Sequence, residues 1–370
     1  MRDRGTSEPD QAGRPGRGLS SRAAAEWALV LVFLAAIGLP LVEMTCHLFP
    51  GIDALDALER RKRDAAPTFS LRTWADDLPA LREYVRYNFG FRGLLVRWDA
   101  MLGLRVLHAS PSSRLIFGRG GWIFYRSEEV PDGVTIEDWK GLAPYGAAEL
   151  GAMRARLAAQ ARWCRDRGIV CLYVVIPNKE SVYPEYLPRS IRRIRPVTRL
   201  DQLVDAVRAD TAIHLIDLRS TLLEAKRGDP RPLYNRGGTH WNQLGAFYAY
   251  RRIAGEFAAV CPALWPRGLD DFEVRVLPRS SFDHTLGLPE NTEFRFRPRP
   301  GRAPLAARGA PVILVAHDSF WDALEPFLRA HASRLVDAGP TLRRERIERE
   351  RPDIVIQLVV ERYLHVLGES

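Results

Sequence analysis

The sequence predicts an α/β protein with a doubly wound, mostly parallel sheet that is flanked by helices and preceded by an N-terminal transmembrane helix. Two observations carry this prediction. Between residues 149 and 365, apolar and often β-branched runs alternate with helical patterns, which is typical of parallel sheets covered on both faces. Ahead of them, residues 27–42 form a run of sixteen residues without a charge.

Composition narrows the class of protein. A hydrophobic fraction of 46% in 370 residues predicts a packed core. The 54 Lys and Arg exceed the 45 Asp and Glu by 9, but the two signs are interspersed and no nucleic-acid-binding motif accompanies them. The preferred explanation of the excess is a genome that favours Arg codons. Attraction to an anionic polymer or to lipid headgroups is the less favoured alternative. The four cysteines have no metal-ligand spacing, and whether Cys164 and Cys171 form a disulfide or remain free thiols stays open.

The apolar run predicts an uncleaved signal-anchor over residues 27–49. It follows a disordered cytoplasmic tail (1–26) with Arg14, Arg17 and Arg22, as the positive-inside rule requires. A linker and helix (50–87) and an exported domain (88–370) complete the predicted organisation. The basic run at 60–63 weakens the charge argument, and a buried core helix is the alternative. We expect a single-pass protein of the inner membrane with its main domain in the periplasm.

The elements of the exported part follow in chain order. One or two helices are predicted over 68–107, and turn glycines with a β-rich run over 117–125 predict a hairpin-like entry element. The alternating pattern then predicts helices at 149–167, 200–209, 242–260, 320–332 and 343–351, and strands at 169–176, 213–217, 312–315, 334–336 and 353–360. The Pro- and Arg-rich segment 262–310 is expected to cover an edge of the sheet or to line the site.

Candidate chemical groups follow the strands, whose carboxyl ends are where such sheets bind ligands. Asn178 and Lys179 follow the first strand, Asp217 ends the second, and His317-Asp-Ser319 follows the third. Ser319 stands between a strand and a helix, where the helix N-terminus could stabilise an oxyanion. An ordinary helix-capping serine is the alternative.

A second block, Arg236-Gly-Gly-Thr-His-Trp-Asn242, leads into a predicted helix. A nucleophilic serine requires a general base, and imidazole suits that role near neutral pH. His240 is therefore the candidate base for Ser319, with a capping or surface histidine as the alternative.

Five ordered blocks resemble the AlgJ/AlgX-type SGNH hydrolase-like proteins, which take part in O-acetylation of alginate and related exopolysaccharides. The resemblance runs from about residue 88 to 365. The blocks are Asn88-Phe-Gly-Phe-Arg92, Gly118-Arg-Gly-Gly-Trp-Ile-Phe-Tyr125, Val175-Ile-Pro-Asn-Lys179, His317-Asp-Ser-Phe320, and Pro352-Asp-Ile-Val-Ile356 with Glu361-Arg-Tyr-Leu364.

The resemblance implies an SGNH-like (flavodoxin-like) fold and an extracytoplasmic O-acetyltransferase that forms a serine acetyl ester. It implies an exopolysaccharide acceptor and a polytopic membrane acyltransferase that supplies acetyl groups, without nucleic acid, cofactor or metal. The implied site residues are Ser319 as nucleophile, His240 as base and Asp318 as the third catalytic residue, with Lys179, Asn178, Arg236 and Trp241 as substrate contacts.

Two positions depart from the family pattern. Gly238 occupies the place of the aspartate that orients the histidine, and His317 replaces the usual glycine before Asp-Ser, where it could crowd the turn or add a polar group. Three explanations for Gly238 remain open. Another carboxylate replaces the aspartate (Asp318, Asp283 or Asp217), a Ser–His dyad suffices, or the domain is a catalytically degenerate subunit that binds polysaccharide or assists assembly.

Overall fold

The computed structural model describes residues 21–49, 74–95, 98, 102, 115–126, 135–259, 265–279, 291–300 and 309–369. Most of the predicted tail, the linker at 50–66, Cys261 and Asp283 lie outside these residues. The chain divides into two compact units, Met1–Val96 and Arg97–Ser370. The predicted domain start at residue 88 stays a prediction.

The first unit contains the long apolar helix α1 (Ser21–Cys46) and helix α2 (Trp74–Asn88). The segment Arg22–Cys46 has a mean hydropathy of 2.3 over its most apolar window. At about 1.5 Å per residue, its 25 residues exceed the roughly 30 Å of a bilayer core. The prediction of a helix able to span a membrane is confirmed by length and composition.

The second unit begins with the predicted hairpin, β1 (Leu115–Phe117) paired antiparallel with β2 (Ile123–Tyr125). Its turn requires glycine, because Gly120 and Gly121 have φ of 63° and 77°. The remaining strands are β3 (Val170–Ile176), β4 (His214–Asp217), β5 (Phe272–Arg279), β6 (Asn291–Pro298), β7 (Val312–His317), β8 (Arg334–Gly339) and β9 (Ile354–Val360).

The predicted helices of this unit lie close to their predicted positions, and three short helices were not predicted. The helices are α3 (Thr135–Trp139), α4 (Ala147–Arg165), α5 (Lys179–Val182), α6 (Arg199–Val207), α7 (Arg219–Gly228), α8 (Gln243–Gly255), α9 (Trp321–Arg329) and α10 (Arg344–Glu350). The three that were not predicted are α3, α5 and α7. The positive φ of Gly168 (72°) matches the predicted stop after α4.

Five parallel strands form the central sheet in the order β4-β3-β9-β7-β8. Counted from β7, this order becomes 2-1-3-4-5, the order of flavodoxin-like sheets, so the chain runs through that arrangement from a permuted starting point. The strand order reverses between β7 and β9. Ligands bind at such a switch point, outside the carboxyl ends of the strands.

Both faces of the sheet are covered. Alternate residues of β7 point to opposite sides: Ile313 belongs to the cluster under α7, α8 and α9, and Leu314 belongs to the cluster under α4, α6 and α10. Cys164 and Cys171 lie buried in the second cluster as free thiols. The prediction of a doubly wound sheet is confirmed.

The Pro- and Arg-rich segment 262–310 contains the antiparallel strand pair β5–β6. Its inner residues pack on helices rather than on the sheet: Phe296 lies 5.2 Å from Phe247 of α8 and 5.2 Å from Phe327 of α9 between ring centroids. The described part of this segment therefore extends the helical layer of one face.

Candidate active site

Ser319 lies in the turn between β7 and α9, at the carboxyl edge of the sheet and at its switch point. The carboxylate of Asp318 holds this turn, because Oδ1 accepts from the N–H of Phe320 (2.9 Å) and Oδ2 from the N–H of Val360 (2.6 Å). Burial raises the pKa of Asp318, and these two N–H groups oppose the rise. The serine side chain itself is exposed. We call residues 317–320 the elbow.

The predicted partner is in place. Nε2 of His240 lies 2.7 Å from Oγ of Ser319, a distance at which the imidazole can accept the serine proton. In the tautomer that a general base requires, Nδ1 carries the proton and donates it towards Oγ1 of Thr239, 3.3 Å away. Thr239 was not predicted as a site residue, although it lies inside the block that identified His240.

His240 is carried by a tight loop, residues 235–240, which we call the histidine loop. An antiparallel bridge between Tyr234 and Trp241 closes its base, and the N–H of Asn235 donates to the carbonyl of His240 (3.0 Å). Asn242 then caps α8, since its Oδ1 accepts from the N–H groups of Leu244 and Gly245.

Trp241 joins the loop to the elbow. Its indole N–H donates to the carbonyl of Phe320 (2.9 Å), and the Phe320 ring packs 4.6 Å from the His240 ring. Trp241 is only 2% exposed. The described contacts give it a role in holding the two halves of the site together, and contact with substrate stays a prediction.

Lys179, predicted as a substrate contact, is also buried (2% exposed). Its Nζ donates to the carbonyls of Ile123, Asn235, Arg236 and Gly238 at 2.6–2.9 Å. The ammonium therefore lies beneath the histidine loop, and direct contact with a sugar would require it to leave these carbonyls.

Asn178 is 3% exposed and faces the end of β9. Its N–H donates to Glu361 (2.9 Å), and its Oδ1 accepts from the guanidinium of Arg362 (3.2 Å). That guanidinium lies 5.4 Å from the centre of the Phe320 ring and 4.9 Å from that of Tyr125. Arg362 was missed as a site residue. Its only signal in the sequence was membership of the closing block.

Two buried glutamates lie under this region. Burial raises the pKa of Glu361 to about 7 and that of Glu180 to about 8. Glu361 also accepts from the hydroxyl of Ser181 (2.7 Å). Among the residues that the structure describes, no group donates a hydrogen bond to Oε1 of Glu180.

The carboxylates considered as replacements at Gly238 have other contacts. The carboxylate of Asp318 accepts hydrogen bonds from the N–H groups of Phe320 in the elbow and Val360 in β9. Asp217, at the end of β4, bonds to the guanidinium of Arg219 (2.9 Å). Two strands, β3 and β9, separate β4 from β7, the strand that leads to Ser319. Asp283 lies outside the described residues.

His317 turns away towards β8. Its Nε2 lies 2.9 Å from Oδ1 of Asp337, and its ring stacks 4.9 Å from the ring of Trp321. It therefore adds a polar link between β7 and β8. Arg236, whose side chain was predicted to contact substrate, is exposed within the histidine loop, and Arg126 is exposed just after β2.

Comparison with known proteins bears on this geometry. The family model described as "SGNH hydrolase-like domain, acetyltransferase AlgX" matches residues 115–292. Residues 115–292 of this chain are thus similar to an AlgX-type SGNH hydrolase-like domain. The match includes Lys179 and the histidine loop, and Ser319 lies beyond it. The predicted resemblance is confirmed.

A curated protein is also similar to this chain in sequence. The chain is 30% identical to "Probable alginate O-acetylase AlgJ" of Pseudomonas aeruginosa over 148 residues. The aligned region covers 38% of this chain and 32% of that protein. The chain thus spans about a third of this curated relative.

Two solved structures are similar in fold. The O-acetyltransferase domain of Pseudomonas putida AlgJ has a TM-score of 0.45 at 20% identity, covering 69% of this chain and 93% of that one. Bacillus cereus PatB1, in a structure with a sulfonyl adduct, has a TM-score of 0.50 at 12% identity, covering 68% and 96%.

Proposed function

We propose that the protein is an O-acetyltransferase in which Ser319 carries the acetyl group as an ester. The observation that carries the proposal is the 2.7 Å contact between Oγ of Ser319 and Nε2 of His240 at the switch point of the sheet. The sequence relationship to a protein named as an alginate O-acetylase supports the choice of acyl group.

In the first half-reaction, His240 accepts the hydroxyl proton while Oγ of Ser319 attacks the carbonyl carbon of an acetyl donor. The tetrahedral intermediate collapses, the bond to the leaving group breaks, and the imidazolium returns its proton to that group. Ser319 lies just before α9, whose N-terminal N–H groups favour the developing oxyanion.

In the second half-reaction, a sugar hydroxyl gives its proton to His240 and attacks the acetyl-serine carbonyl. Collapse releases the acetylated sugar, and the imidazolium returns the proton to Oγ. Water in place of the sugar would give hydrolysis, so esterase activity is the expected side reaction.

The wider setting is part of the proposal. An α1 that remains uncleaved would anchor the protein in the inner membrane with the second unit in the periplasm. The acceptor would be an exopolysaccharide, and a polytopic membrane acyltransferase would supply the acetyl groups. Exposed Arg236 and Arg126 are suited to sugar carboxylates.

One observation favours a second candidate, a degenerate subunit that binds polysaccharide or assists assembly. Gly238 stands where the resembling proteins carry the aspartate that orients the histidine. Loss of that group costs established triads orders of magnitude in rate.

The test is acetyl release from p-nitrophenyl acetate, with mass spectrometry of the intact protein to detect the acetyl ester on Ser319. The wild type should show both, and Ser319→Ala neither. Asp205→Asn, a change of an exposed α6 carboxylate outside the elbow and the histidine loop, is the matched control. Equal turnover by wild type and Ser319→Ala would remove Ser319 from the mechanism. Retained polymer binding without turnover in the wild type would favour the binding subunit.

A further inference from the structure

We infer that Lys179 is a positioning residue for the general base: its buried ammonium organises the histidine loop and thereby sets His240 against Ser319. The inference rests on the proposed function for its chemical meaning. The geometry on which it depends is independent of any activity.

The ammonium of Lys179 binds three backbone carbonyls of the histidine loop. Three of the four oxygens bonded to Nζ belong to Asn235, Arg236 and Gly238. These residues lie within four positions of one another and end two residues before His240. The fourth oxygen belongs to Ile123 of β2, so the ammonium also fixes the loop to the entry hairpin.

The loop needs this cation. Carbonyls that converge on one point repel one another, and each requires a donor when buried. An ammonium supplies three N–H groups and a positive charge at that point, and the carbonyl of Arg236 also accepts from the N–H of Ile123 (2.8 Å). The rings of Trp122 and Phe124 line the remaining space, 4.6 Å and 5.2 Å from Nζ, where a cation is favoured by the aromatic faces.

The position of Lys179 is itself well defined. It is the first residue of α5 and follows β3 by two residues, so the central sheet determines where its backbone lies. The preceding Asn178 is bonded to Glu361 at the end of β9. The chain of contacts thus runs from the sheet, through Lys179, to the loop that carries His240.

The expected effect follows from the tight geometry of proton transfer. A misplacement of about 1 Å can cost a reaction of this kind about 100-fold. In Lys179→Met, which keeps the length of the side chain and removes its charge, the maximal rate of Ser319 labelling by a fluorophosphonate probe should fall by about 100-fold. The probe concentration giving half-maximal rate should stay unchanged, because Lys179 is buried and the probe need not touch it.

The matched control is Lys226→Met. Lys226 also donates to a backbone carbonyl, that of Val182 (2.7 Å), and pairs with Glu185 (2.7 Å), but it does not contact the histidine loop. Ser319 of the Lys226→Met variant should be labelled at the wild-type rate. Near-UV circular dichroism establishes that each variant is folded. If Lys179→Met does not fold, Lys179→Arg, which keeps a cation at a displaced position, is measured instead.

Hydrogen exchange separates this inference from the proposed function. Exchange in peptides covering residues 235–242 should accelerate in Lys179→Met and not in Lys226→Met. Unchanged exchange there, or labelling of Lys179→Met at the wild-type rate, would overturn the inference. A wild type that is never labelled at Ser319 would overturn the proposed function, while the exchange data would still decide whether Lys179 holds the loop.

Discussion

The elbow and the histidine loop meet across one 2.7 Å contact, but buried charges of opposite sign hold them. In the elbow, the carboxylate of Asp318 gathers backbone N–H groups. In the loop, the ammonium of Lys179 gathers backbone carbonyls. Each charged group therefore shapes the main chain rather than the substrate.

The two anchors differ in how local they are. Asp318 is the immediate neighbour of Ser319, so its bond to the N–H of Phe320 forms within the turn, and only its second bond, to Val360, joins residues far apart in the chain. Lys179 lies 57 residues from Arg236 along the chain, so the loop acquires its shape only after β3 and the loop have met. The difference predicts that changes in the elbow affect stability and reactivity together, whereas changes in the loop can affect reactivity alone.

The largest effect is expected at the elbow. Asp318→Asn keeps one acceptor oxygen and turns an NH2 group towards the N–H of Phe320 or Val360. We expect the free energy of unfolding to fall by about 2–3 kcal/mol, measured by urea denaturation, with loss of Ser319 labelling. Asp205→Asn, whose side chain is 70% exposed, should change little. Equal losses in the two variants would contradict a special role for Asp318.

Glu361 links the two anchors, since it follows Val360, which donates to Asp318, and accepts from Asn178, which precedes Lys179. Its pKa of about 7 in the folded protein exceeds the ordinary 4.5. Its contribution to stability is therefore fully present below pH 4.5 and is lost as pH rises through 7.

Glu361→Gln should flatten this decline, which we expect to be roughly 3 kcal/mol. The measurement is the thermal unfolding midpoint at pH 5 and pH 7.5. Burial also raises the pKa of Glu180, so the stability of Glu361→Gln should still decline with pH, but less steeply than that of the wild type. Glu348→Gln, a change of a half-exposed side chain, serves as control. Parallel pH curves for wild type and Glu361→Gln would argue against a neutral Glu361 in the folded protein.

The loop offers a gain of activity. A Cβ at Gly238 would meet only the Cβ of Asn235, at an ordinary 3.5 Å, and its φ is not left-handed. Gly238→Asp should therefore fit and raise turnover of p-nitrophenyl acetate by at least about tenfold, because a carboxylate orients the imidazole. Gly238→Asn is the neutral control. Equal rates in the two variants would show that a charge at this position does not limit the reaction.

The smallest effect is expected where loop and elbow touch. Trp241→Phe removes the indole N–H that bonds to the carbonyl of Phe320 and keeps most of the buried ring. A cost of about 1 kcal/mol in unfolding free energy is expected, read from chemical denaturation. A cost above that of Asp318→Asn would reverse the ranking of the two halves.

Sequence patterns predicted the parts of this molecule that are local. The strand, Ser319 and α9 follow one another along the chain, and the burial of β7 on both faces follows from its continuous apolar run. The contact between Ser319 and His240 was predicted because the blocks resembled a known family. The role of Lys179 could not be predicted in this way, since it depends on carbonyls from two distant segments converging on one atom.

Other differences have similar causes. The strand pair β5–β6 was missed because the few apolar residues of a Pro- and Arg-rich segment find their partners on α8 and α9, far away in sequence. His317 was recognised as unusual, but its direction depends on Asp337 of β8. In each case a side chain's neighbours, which no local pattern contains, decide what it does.

The strand order also bears on how the protein matures. β9 comes last of the five strands along the chain, yet it lies in the middle of the sheet, between β3 and β7. Until it inserts, the two flanking strands have no common partner, and Asp318 lacks the N–H of Val360. Such long-range closure is expected to be slow. A chain in which β9 has not yet inserted would therefore carry no assembled nucleophile, and reactivity would begin only when the sheet closes.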